Sequence, residues 1–161
     1  MGISDIFSKF DKQWALVTAG KGAEHNTMTV SWGGMGTLWN KPAVTVYVRP
    51  SRYTHEFLER EELFTVSFYG EQYRRDLATL GRLSGRDCDK VANTGLTPMP
   101  VETSFGQTVT FAEAELTLVC RKMYRRDMDK AEIRQDIAAG HYDEDEPAHT
   151  VYIGELVAVL A

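Results

Sequence analysis

Residues 26–36 read Asn26-Thr27-Met28-Thr29-Val30-Ser31-Trp32-Gly33-Gly34-Met35-Gly36, and no other segment constrains the architecture as tightly. The first seven are mostly β-branched, hydroxylated or aromatic, which is strand chemistry. Along a strand alternate residues share a face, so Asn26, Met28, Val30 and Trp32 are expected to point one way and Thr27, Thr29 and Ser31 the other. The hydroxyl row fits a solvated barrel exterior, or else the lining of a polar ligand. An amide, an indole and backbone bared by glycine would suit the edge and face of a planar heteroaromatic molecule. The glycines that follow mark a bend or a close approach to the backbone.

Residues 27–32 are thus predicted as a strand; working outward, further strands are predicted at 14–18, 43–48, 63–68, 109–119 and 150–160, and helices at 52–60, 71–80 and 129–139. Strands outnumber helices and do not alternate with them, which argues against a doubly wound parallel sheet. An antiparallel barrel with helices packed outside it fits better. The first three strands are joined by short connections and are expected to pair as neighbours.

With 161 residues, 43% of them hydrophobic, the chain can bury a core without disulfides or metals. No repeat or linker interrupts it, so residues 1–161 read as a single domain. A net charge of −5 disfavours nucleic acid as a partner. No apolar run approaches the ~18 residues of a membrane span, and the acidic N-terminal segment is unlike a signal peptide. Cys88 and Cys120 form no CxxC pattern and read as reduced thiols, which suits a cytoplasmic protein. The four histidines lie at no metal-ligand spacing, and no metal is expected.

Two segments carry candidate ligand chemistry. Arg49-Pro50-Ser51-Arg52-Tyr53-Thr54-His55-Glu56 follows a strand and opens a helix, with Ser51 as the expected N-cap. Arginines are out of place at a helix start, which is already electropositive. An anion would resolve the conflict: guanidinium groups, the hydroxyls of Ser51 and Thr54 and free helix N–H groups make a phosphate receptor. The plainer alternative pairs both arginines with Glu56 and Glu59 or leaves them in water. The second segment, Ser84-Gly85-Arg86-Asp87-Cys88-Asp89-Lys90, reads as a self-paired surface loop, or as one lending Arg86 or Lys90 to the same anion.

Taken in order, NTMTVSWGGMG, KPAVTVYVRPSRYTHEFLE and LSGRDCDKV resemble the flavin reductase-like family that includes the flavoredoxins. The resemblance extends from about Trp14 through the terminal TVYIGELVAVL. It implies a mainly β fold with peripheral helices, a six-stranded antiparallel split β-barrel acting as a homodimer with one FMN per subunit. By the same resemblance Asn26, Thr27, Met28, Thr29, Ser31 and Trp32 lie along the flavin. Arg49, Ser51, Arg52 and Thr54 approach its phosphate and ribityl chain, and Ser84, Gly85, Asp87 and Lys90 close over it. A further contact is expected from Tyr124, Arg125, His149 or Tyr152, and no insertion that could form an elaborate lid is seen between Arg126 and Asp129. The implied activity is an FMN oxidoreductase passing electrons from NAD(P)H or a protein donor to an acceptor, the flavin carrying the chemistry. An electron carrier that ignores NAD(P)H, or a non-catalytic flavin or haem module, are the alternatives.

Overall fold

A computed structural model describes residues 2–161. The strands are β1 Ala15–Lys21, β2 Glu24–Val30, β3 Gly33–Leu38, β4 Lys41–Val48, β5 Leu63–Phe68, β6 Pro98–Thr103, β7 Gly106–Phe111, β8 Leu116–Asp127 and β9 Thr150–Leu160. The helices are α1 Ile3–Ser8, α2 Tyr53–Arg60, α3 Arg74–Arg82 and α4 Gln135–His141.

Seven strands form one sheet in the order β2-β1-β5-β8-β9-β4-β3, every pairing antiparallel. The two end strands, β2 and β3, are consecutive in sequence and separated only by Ser31 and Trp32. They are one strand bent at that point: its first half pairs with β1 and its second with β4, and the sheet closes on itself. Counted once, the bent strand gives the expected six. The pairing of residues 27–32 with 43–48 does not occur; the glycine-rich half is interposed and pairs with β4 instead. The expected single strand over 109–119 is also two, β7 and β8, reversed at residues 112–115. The helix expected at 129–139 is a 3-10 turn over Lys130–Glu132 followed by α4.

Inward-facing Val17, Met28, Val44, Val46, Phe64, Val66, Leu118 and Tyr152 fill the barrel, and α2 contributes Phe57 and Leu58 to the same core. Phe10 packs edge-on to Phe68 at 5.4 Å and lies against Gly33, where a Cβ would come within 2.5 Å of its ring. Outside the barrel, α3 packs on β2 and β7 covers β1 and β5, with Leu16, Leu77, Leu80, Leu96 and Phe111 forming one cluster between them. This cover explains why all six residues of β5 are buried. It also overturns the solvated reading of the threonine row. Thr27 is fully buried, its hydroxyl 2.8 Å from that of Thr18, and Thr29 donates to the Leu77 carbonyl of α3. Trp32 leaves the face of Asn26 and Met28, because the bend breaks the alternation, and is 44% exposed. Among the described residues no helix is long and apolar enough to cross a membrane, and both cysteines are free.

Candidate functional site

The site lies where the bent strand meets the start of α2. β4 ends at Val48, and a turn closed by the Arg52 N–H donating to the Arg49 carbonyl at 3.0 Å leads into the helix. Arg52, not Ser51, is the N-cap residue; its extended backbone (φ −78°, ψ 138°) precedes the helix. Ser51 instead offers its carbonyl to Arg86 Nη1 at 3.0 Å. Thr54 is fully buried, and its hydroxyl accepts from Asn26 Nδ2 at 2.8 Å, so the helix start and β2 are tied by a side-chain bond.

The two arginines have different fates. Arg49 donates from Nη1 to Glu146 at 2.7 Å and from Nη2 to the His141 carbonyl at 3.0 Å, and it stacks on Tyr142. Its partner is thus neither Glu56 nor Glu59 but a carboxylate 97 residues away. Arg52 makes no side-chain hydrogen bond or ion pair among the described residues, although it is only partly exposed. Burial, and then the charge of Arg49, hold its guanidinium below the usual arginine range. A half-buried cation beside a second cation, with no acid of its own, has the electrostatics of an anion receptor.

The loop over this corner is not self-paired. Arg86 crosses to Glu56 at 2.7 Å and stacks on Tyr53, clamping residues 84–89 to α2. The Ser84 hydroxyl accepts from the Arg86 N–H at 3.2 Å, within the loop. At Gly85 an added Cβ would fall 2.1 Å from Asn26 Oδ1, so glycine there lets the loop close on the strand. Lys90 is 3% exposed and donates to the Leu80 and Leu83 carbonyls at 3.0 and 3.2 Å, capping the end of α3. Burial, reinforced by the neighbouring charge of Arg52, pushes it down to about 8.

Asn26, Gly85, Asp87 and Lys90 line a cleft of about 860 Å³ together with Tyr53 and Phe57. Met28, Thr29, Ser31, Trp32, Arg49 and Arg52 line a neighbouring cavity of about 150 Å³, completed by Tyr47 and His149. Thr27, Ser51, Thr54 and Ser84 line neither; Thr27, Thr54 and Ser84 hold the walls, and the Ser51 side chain makes no bond. The smaller cavity is below the ~300 Å³ at which small-molecule sites begin. It is adjoined, through shared Trp32, Tyr47 and His149, by an aromatic pocket of about 260 Å³ that adds Met128 and Tyr142.

Of the four residues expected from the second half of the chain, His149 alone lines these cavities. Arg125 pairs with Glu59 and Asp127, Tyr152 is buried with its hydroxyl on Glu59, and Tyr124 faces outward. The Tyr142 hydroxyl contacts His149 Nδ1 and accepts the His149 backbone N–H at 3.3 Å. One proton is thus shared between the Tyr142 hydroxyl and the imidazole of His149. Burial, and next the Arg49 charge, push the imidazole pKa down to about 4. The unfolded chain takes up the imidazolium proton first, so the stability involved is complete above pH 6.5 and lost as the pH falls from 6.5 through 4. Unfolding free energies from urea titrations across that window should fall further for the wild type than for His149→Gln, by on the order of 1–3 kcal/mol.

Tyr47, Tyr142 and Glu146 escaped the sequence reading. Only the outward register of Tyr47 in AVTVYV was available as a signal; the other two reach the site through a turn-rich segment of no regular period.

A closed antiparallel barrel with an unpartnered guanidinium and a glycine-cleared loop beside a helix start is the framework of an FMN-binding split-barrel protein. The model of the flavin reductase like domain matches residues 7–161. Among solved structures the fold is similar to flavoredoxin from Methanosarcina acetivorans (TM-score 0.71, 21% identity, 92% of this chain and 68% of that one). It is similar too to an FMN-binding protein from Thermus thermophilus with bound p-hydroxybenzaldehyde (0.65, 20%, 91% and 70%). A third is the NADH:FAD oxidoreductase SgcE6 of Streptomyces globisporus C-1027 with NAD and FAD fragments (0.66, 18%, 98% and 79%). At these identities the structural likeness speaks for the fold. No curated protein matches the chain. The chain belongs to the flavin reductase-like family, on the strength of a match covering nearly all of it.

Proposed function

We propose that the chain is an FMN-dependent oxidoreductase of the flavin reductase type in which Arg52 is the principal receptor for the FMN phosphate. The observation that carries this is Arg52 itself, half-buried and without a counter-charge among the described residues. The residues fit the group: a cation to meet the phosphate, a glycine-cleared loop at Gly85, and aromatic side chains Trp32 and Tyr47 for a planar ring. FMN, when bound, supplies the redox chemistry. The chain's part is to orient it through Asn26, fixed by Thr54, to limit water with Trp32 and Tyr47, and to present the uncharged imidazole of His149.

NAD(P)H as electron donor and a homodimeric assembly belong to the same reading. The outward face of β3, β4 and β9 supports the assembly. Gly34 and Gly36 have nothing within 4 Å of a built Cβ, and Thr45, Tyr47, Val151 and Ile153 continue the face by register. Residues 1–161 are read as one domain, and two free thiols suit a reducing cytoplasm. Purified protein loaded with FMN should show flavin absorption that bleaches under anaerobic NADH or NADPH faster than free FMN does. Bleaching no faster than the free cofactor would transfer the donor role to a redox protein.

A further inference from the structure

After β8 the chain does not return directly to β9. Residues 128–149 loop out as a strap whose two ends meet where the Met128 N–H donates to the His149 carbonyl at 3.0 Å. Lys130 ties the strap together by donating to the carbonyls of Asp143, Glu144 and Glu146 at 2.8, 3.0 and 2.6 Å. The strap lies over the arginine corner. His141 meets the Trp32 ring edge-on at 5.3 Å, Tyr142 lies under Arg49, and Glu146 holds Arg49 at 2.7 Å. Arg49 and Arg52 line the same small cavity. One of these two cations therefore already has an anion, supplied by the protein, and the other has none among the described residues.

We propose that Glu146 is the resident counter-anion of the Arg49–Arg52 corner and gives up Arg49 to the phosphate monoester of an incoming ligand, releasing the strap. This rests on the reading of the corner as the phosphate site. The physical basis is competition. A phosphate dianion can engage both guanidinium groups, whereas a single carboxylate satisfies one. The pair it displaces is partly exposed, with side chains 29% and 33% accessible, and such pairs hold weakly. Glu146 Oε1 also accepts the Asp143 N–H at 3.2 Å, so the carboxylate can leave Arg49 while still capping its own loop. Ligand entry thus loosens the strap, the opposite of a lid that closes on its ligand.

The experiment compares FMN, riboflavin and inorganic phosphate on the wild type, Glu146→Gln and the same-loop control Glu144→Gln. Glutamine keeps the size and the loop cap but not the charge. Glu146→Gln should tighten FMN about fivefold relative to the control, with riboflavin unchanged within about twofold. In the wild type, FMN and inorganic phosphate should both speed hydrogen exchange at the Ala138 and Tyr142 amides, whose bonds lie within the strap, and riboflavin should not. No selective gain for FMN, or slower exchange at those amides when FMN binds, overturns the proposal. Arg52→Ala separates the two levels. If it weakens FMN selectively while Glu146→Gln changes nothing, only the exchange of anions fails; if it weakens FMN and riboflavin equally, the phosphate site itself is elsewhere.

Discussion

Arg52→Ala is expected to weaken FMN binding by roughly 10- to 100-fold while leaving riboflavin within about twofold, because only FMN carries the phosphate and a charge-assisted hydrogen bond contributes about 1.5–3 kcal/mol. The magnitude should sit in the upper part of that range. Among the described residues Arg52 has no acid to release, so no existing pair offsets what the ligand gains. Folding should hardly suffer, since removing a guanidinium repelled by Arg49 relieves a cost rather than breaking a bond. Trp32→Ala provides the contrast: Trp32 lines the small cavity, and on the proposed reading its indole faces the ring system common to both ligands, so both should weaken alike. Fluorescence titration of the two flavins against both variants measures the split. Equal losses at Arg52 would remove the basis for the assignment.

The second large effect concerns the hairpin that carries Asn26. Gly20, paired with His25 near the end of β1, has φ +120°, and an added Cβ would stand 2.2 Å from the Glu24 carbonyl oxygen and 2.5 Å from the His25 Cα. Both obstacles are backbone, which cannot rotate aside as a side chain can. Gly20→Ala should therefore cost about 3 kcal/mol or more, from the strained conformation together with a displaced strand. For a chain of this size that lowers the thermal midpoint by roughly 6–12 °C. A midpoint shift of less than a degree or two would mean that β2 moves away freely, and that its attachment to Thr54 through Asn26 is not rigid.

The parts of the fold legible in the sequence are those whose residues act locally. The strand segments at 14–18, 27–32, 43–48, 63–68 and 150–160 lie on β1, β2, β4, β5 and β9, or overlap them, because alternation and β-branching are properties of neighbours. β3 went unread since Gly33, Gly34 and Gly36 have little strand preference; pairing with β4, not propensity, makes them a strand. The reversal at Ala112–Glu115 contains no glycine, proline, asparagine or aspartate. It is held by distant groups, the Glu113 carboxylate accepting the Thr97 N–H at 2.6 Å and the Glu115 N–H reaching the Phe68 carbonyl at 2.9 Å. The site divides the same way. That arginines crowd a helix start is visible in six consecutive residues, and the conflict it implies is real for Arg52. That Arg49 is already satisfied is not visible, because Glu146 comes from a segment whose position only the closed barrel fixes.

The bend at Ser31–Trp32 ties architecture to recognition. The same dozen residues supply both margins along which the sheet seals and, with Arg52 and His149, the walls of the small cavity. Sequence drift in this region is consequently filtered twice, once by foldability and once by ligand fit. Divergence among chains of this architecture should be freer at exposed positions such as Met99 and Pro100 of β6, which neither close the sheet nor line the small cavity.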